Sequence, residues 1–188
     1  MLAAALLSTA AACTRGSEQP PLQGAAIGGP FELTDQDGQR VRDSDFAGRY
    51  RLIYFGYSYC PDVCPTDLQS IGQGLARFEK SDPARAERVQ PIFITVDPER
   101  DTQAVLKQYV AAFHPRLIGL TGTPAEIEKV KRQFAVYSTK QAVEGASEYL
   151  VDHSRQTVLF DPAGEPMALV ASDEGADAVA AELDKWVK

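Results

Sequence analysis

The chain has no long hydrophobic run and no block of lysines or arginines, and it is poor in the residues that hold metals, with three cysteines and two histidines in 188 residues. Each scarcity excludes something. The longest apolar stretch, Leu2 to Ala12, is too short to cross the roughly 30 Å hydrocarbon core of a bilayer as a helix. A formal net charge of −7 without basic clusters argues against a nucleic-acid partner. A structural zinc site wants four protein ligands, which so few cysteines and histidines do not readily supply. No internal repeat is visible. With 44% hydrophobic and 24% charged residues the chain suits one domain with a real core.

The N-terminal apolar run ends in Ala10-Ala11-Ala12-Cys13 and gives way to a polar stretch rich in Gly, Pro, Ser and Gln. That is the pattern of a secretory h-region with small residues before a cleavage point. A cysteine just after that point resembles the lipobox of bacterial lipoproteins, in which the thiol is acylated. The expected organisation is a leader over residues 1–12, a lipid-anchored flexible tether over 13–29 and one domain over 30–188.

The strongest local signal is Tyr54-Phe55-Gly56-Tyr57-Ser58-Tyr59-Cys60-Pro61-Asp62-Val63-Cys64-Pro65. An apolar, aromatic strand empties there into a loop carrying two thiols. Pro65 suits the start of a helix and disfavours a helical Cys64, so Cys64 reads as the N-cap of the helix that follows. A thiol at a helix N-terminus is favoured as thiolate, which attacks disulfides or holds a soft metal. A structural staple is the weaker reading, because a loop this short gains little from cross-linking.

Further along, Phe31–Leu33 and Gln39–Val41 flank the turn dipeptide Asp37-Gly38. Tyr50–Tyr57 and Val89–Val96 read as buried strands. Leu68, Ile71, Leu75 and Phe78 mark a helix running to about Lys80. Asp101 is expected to cap a helix that turns Leu106, Val110 and Phe113 inward. Leu117–Leu120 reads as a short strand, and Thr123-Pro124-Ala125-Glu126 as a capping box. Ala135–Ser138, Tyr149–Asp152, Gln156–Phe160 and Met167–Ala171 read as strands before a closing helix over Gly175–Lys188. The order predicts an α/β fold: a thioredoxin-like central mixed sheet flanked by helices, with an extra N-terminal β-hairpin.

Two thiolates alone make an incomplete metal site. His114, before Pro115, reads as solvated or as a helix C-cap. His153, in Val151-Asp152-His153-Ser154, sits where a strand meets a loop, and element ends are where sites are built. Asp152 is either a turn residue or the group that orients the imidazole. Asp97 and Asp101 read as loop braces.

Those runs, with Gly29-Pro30-Phe31-Glu32-Leu33-Thr34 and Val96-Asp97-Pro98-Glu99-Arg100-Asp101, resemble the SCO/SenC family from about Gly28 to the C-terminus. The resemblance implies a membrane-tethered, thioredoxin-like protein that assists copper-site assembly in cytochrome c oxidase. Cys60, Cys64 and His153 would be its copper ligands, with one Cu(I) or Cu(II) ion per chain. The implied partners are oxidase subunit II, a periplasmic thiol reductant and another copper chaperone, at the periplasmic face of a bacterial envelope. Two thiolates and an imidazole independently make a soft, three-coordinate set that suits Cu(I) and takes Cu(II) with an added ligand.

The same cysteines also suit a thiol–disulfide reductase that keeps the oxidase copper-site cysteines reduced, since a disulfide cannot ligate metal. Three residues separate the pair, where a thioredoxin has two. Ile53 and Tyr57 stand where a peroxiredoxin would carry Pro and Thr. Whether copper transfer or thiol reduction is the function stays open at the level of sequence.

Overall fold

The computed structural model describes residues 18–142 and 149–188. The leader, Cys13 and the start of the tether lie outside the described residues. Seven strands form one sheet in the order β2-β1-β5-β4-β3-β8-β9. They are β1 (Glu32–Asp35), β2 (Arg40–Arg42), β3 (Tyr50–Gly56), β4 (Val89–Thr95), β5 (Ile118–Thr121), β8 (Thr157–Phe160) and β9 (Pro166–Val170). Strands β3, β4 and β5 run parallel, while β1, β8 and β9 join by antiparallel pairing. Among the described residues, two further strands, β6 (Ser138–Ala142) and β7 (Tyr149–His153), pair only with each other.

Every residue of β3 and β4 is buried, as parallel strands covered on both faces require. The helices α1 (Val63–Ser81), α2 (Pro83–Glu87), α3 (Gln103–Ala111), α4 (Pro124–Gln133) and α5 (Ala176–Trp186) complete the thioredoxin-like arrangement. Helix α1 approaches α5 closely at Gly74, where a Cβ would stand 2.5 Å from that of Val179. The N-terminal hairpin extends the main sheet through β1 and β5. Its turn is fixed by Asp35, whose carboxylate accepts the Asp37 and Gln39 amides, and by Gly38 at φ +82°.

Several local expectations are corrected. Helix α1 begins at Val63, with Asp62 as N-cap. Cys64 therefore lies in the first turn, where a proline at position 65 costs no helical hydrogen bond. The N-cap of α3 is Thr102, whose Oγ1 accepts the Val105 amide; Asp101 is buried and used elsewhere. Residues 135–137 are not strand. Ala135 is left-handed at φ +53°, and the amides of Ala135 and Val136 return to the carbonyls of Arg132 and Lys131. That is a Schellman ending for α4.

His114 is buried rather than solvated. Its Nδ1 accepts the Arg116 amide and its Nε2 stands 3.4 Å from Glu79. The described end of the tether is docked on the domain: Leu22 and Ile27 pack against the core, and the amides of Leu22 and Gly28 donate to Met167 and Gln133. The Thr123–Glu126 capping box is present as read.

Candidate metal centre

The C-terminal end of β3 delivers the cysteine loop, and β7 delivers His153. The Sγ atoms of Cys60 and Cys64 and a ring nitrogen of His153 all lie within 4.8 Å of one another. Both cysteines are free thiols, Cys64 wholly buried and Cys60 partly exposed. In place of an Asp62 side-chain cap, Cys60 Sγ accepts the Cys64 amide at 3.4 Å. The favourable helix terminus thus acts on Cys60 rather than on Cys64.

The two thiols diverge accordingly. Cys60 is pulled far below its usual pKa, to about 3, by a hydrogen bond from Cys64 and, against the cost of its burial, by contacts with His153 and the amides of Asp62 and Cys64. Cys64 is pushed well up by the same bond and by burial. The thiolate is favoured on the outer sulfur and disfavoured on the inner one.

The His153 ring is held by the adjacent backbone on one side. Its Nδ1 lies 2.9 Å from the Ser154 carbonyl, which only accepts, so that nitrogen carries the proton. Nε2 then faces Cys64 Sγ, 3.1 Å away. Tyr57 packs edge-on against the ring, centroids 5.8 Å apart, with Tyr54 at 6.5 Å. Asp152 is placed elsewhere: it is exposed, and its carboxylate accepts from Gln141. The ring is oriented by Ser154, not by Asp152.

Two flanking networks set the ligand-bearing segments. Asp101 accepts from the Ser58 amide and hydroxyl and from Thr95 Oγ1, bracing the cysteine loop. Asp97 accepts the Tyr149 hydroxyl and pairs with Arg100, which also donates to the Tyr149 carbonyl. On the other side, buried Asp67 accepts the Tyr54 hydroxyl and both arms of Arg155, two residues past His153. Gly56 leaves room for the inner sulfur: a Cβ there would sit 3.0 Å from Cys64 Sγ.

Sequence reasoning missed Arg100, Tyr149, Asp67, Arg155, Ser154 and Gly56. Asp67 carried a signal of its own, as an acid on the apolar face of α1, and Gly56, Arg100 and Ser154 lay inside the runs that carry the family resemblance.

The donor set fits copper. Two sulfurs and one imidazole nitrogen with its tautomer fixed make a soft, incomplete coordination shell of the kind Cu(I) accepts. A family model described as SCO1/SenC matches residues 19–188. The chain belongs to the SCO1/SenC family. A copper-bound structure of Bradyrhizobium japonicum ScoI is 43% identical with a TM-score of 0.77, covering 86% of this SCO1/SenC chain and 99% of that one. The mitochondrial SCO1 homolog 1 of Arabidopsis thaliana is 44% identical over 145 residues, 77% of this chain and 42% of the relative. The chain spans about half the length of the curated relatives it matches. The thioredoxin domain of a Bacteroides vulgatus thiol-disulfide oxidoreductase shares the fold at 14% identity and TM-score 0.60, covering 88% of this chain and 98% of that one. Among the described residues of this SCO1/SenC protein, no helix is long and apolar enough to cross a membrane.

Proposed function

We propose that this SCO1/SenC protein is a copper metallochaperone that binds one copper ion through Cys60, Cys64 and His153 and delivers it to the dinuclear copper site of cytochrome c oxidase. The observation that carries the reading is the convergence of two thiols and an oriented imidazole within 4.8 Å. The copper-bound ScoI structure supports it. The oxidase as recipient, with subunit II as the docking partner, rests on what the family resemblance implies. The reading includes an anchor, an acylated Cys13 that holds the domain on the periplasmic side of a membrane, as the lipobox-like run supports.

A second reading has its own observation. Cys60 is partly exposed and favoured as thiolate, while Cys64 is buried behind it and pushed the other way, the arrangement of an attacking and a resolving cysteine. Such a pair reduces a partner disulfide. Cys60 attacks one sulfur, a mixed disulfide forms, and Cys64 displaces the partner while the domain becomes oxidised. Both readings need reduced cysteines, so the copper reading has a sharp redox dependence. Titration of the reduced protein with Cu(I) should end at one ion per chain. The same titration after oxidation of Cys60 and Cys64 to a disulfide should show no stoichiometric binding, because the ligands must be thiolates. Equal copper content in both forms would place the site elsewhere.

A further inference from the structure

Among the described residues, strands β6 and β7 form no ladder with the main sheet, yet β7 must hold His153 at hydrogen-bond distance from Cys64. What keeps this detached hairpin in place is a small set of side chains, and Arg100 lies at their centre. Its Nε pairs with Asp97 Oδ2 at 2.5 Å, and its Nη1 donates to the Tyr149 carbonyl at 2.9 Å. The guanidinium carbon lies 3.7 Å from the centroid of the Tyr149 ring. The same carbon is 5.0 Å from the ring of Tyr59, beside Cys60, and 5.6 Å from that of Tyr57. Tyr57 in turn accepts the Val151 amide through its hydroxyl and packs edge-on against His153.

Arg100 therefore touches both ligand-bearing segments at once: the cysteine loop through Tyr57 and Tyr59, and the histidine hairpin through Tyr149. Tyr149, Val151 and His153 alternate along β7 onto one face, so fixing the first two fixes the third. On the reading that the Cys60–Cys64–His153 group holds copper, we infer that Arg100 is the positioning residue that keeps His153 in register with the two cysteines. A planar guanidinium suits the task because it stacks and donates at the same time, which an ammonium does not do in the same geometry.

The test is a double-mutant cycle on copper affinity. Arg100→Ala should weaken Cu(I) binding by about 10- to 100-fold, the usual effect of losing a group that orients a ligand. In a His153→Ala background the same change should cost nothing further, because Arg100 acts through the imidazole. Arg100→Lys keeps a cation beside Asp97 and should still show the loss; it also serves if the alanine variant does not fold. Equal losses in both backgrounds would overturn the inference, showing a general effect on the fold, and so would unchanged affinity in the single variant.

A metal-free readout accompanies this. In the apo protein, Arg100→Ala should speed hydrogen exchange at the Val151 amide and shift the His153 ring resonances. If wild-type protein binds no copper, the ligand assignment fails. The metal-free readout then decides on Arg100 alone, and unchanged exchange and ring shifts would overturn it.

Discussion

Replacing His153 with alanine is expected to weaken copper binding by more than about a hundredfold while leaving thiol–disulfide exchange at Cys60 and Cys64 close to intact. The imidazole supplies one of three donor atoms, and Nε2 is already presented to Cys64 by the bond from Nδ1 to Ser154. Removing a ligand outright should exceed the roughly 10- to 100-fold that loss of an orienting group costs. Disulfide chemistry asks something else of the site: a thiolate at Cys60 and a resolving thiol at Cys64. The leading cause of the lowered Cys60 pKa is its bond with Cys64, with His153 a lesser contributor. The variant should thus reduce a model disulfide at nearly the wild-type rate, retain less than about a hundredth of the copper affinity, and fail to support oxidase assembly. Normal assembly by His153→Ala, with failure of Cys60→Ala or Cys64→Ala, would favour the reductase reading.

The second large effect concerns the thiols themselves. In the reduced, metal-free protein, iodoacetamide should alkylate Cys60 and leave Cys64 untouched. An ordinary thiol with a pKa near 8.5 loses about a thousandfold in rate between about pH 8 and about pH 5, because its thiolate fraction falls tenfold per unit. Cys60, lowered to about 3, should keep an almost level rate across that interval. The absolute rate at neutral pH should be modest, since a weakly basic thiolate is a weaker nucleophile. Cys64→Ala removes the principal cause of the lowering, so in that variant the rate should fall steeply with acid again. Mass mapping of the alkylated residue against pH reads both results. Preferential labelling of Cys64, or a steep fall in the wild-type protein, would reverse the assigned roles.

The legible parts of the molecule were those decided locally. Apolar runs over Tyr50–Gly56 and Val89–Thr95 marked the two fully buried strands, and Thr123 with Glu126 marked a helix start that is present with both bonds formed. The thiol pair and His153 could be singled out by residue type and by family resemblance. What sequence did not show were choices settled by competing partners, near or far along the chain. Asp101 suits a cap locally, yet two hydroxyls and an amide claim its carboxylate, and Thr102 takes over the cap. Ala135 suits a strand, yet the end of α4 turns it left-handed. Asp152 is adjacent to His153 in sequence, but alternation along β7 sends its side chain to the outer face, and the neighbouring backbone carbonyl orients the ring instead. The partners of Asp67 and Arg100 lie 88 and 49 residues away, at Arg155 and Tyr149. No local pattern encodes such pairings, and these are the contacts that hold the two ligand-bearing segments together.

The central claim is that copper is held by two sulfurs and one imidazole. X-ray absorption at the copper edge, on reduced protein loaded with one equivalent of Cu(I), counts those donors directly. The account predicts two sulfur scatterers and one nitrogen scatterer with the outer-shell pattern of an imidazole, the latter lost in His153→Ala and one sulfur lost in Cys60→Ala or Cys64→Ala. A shell of oxygen and nitrogen alone, or one unchanged by all three substitutions, would contradict it.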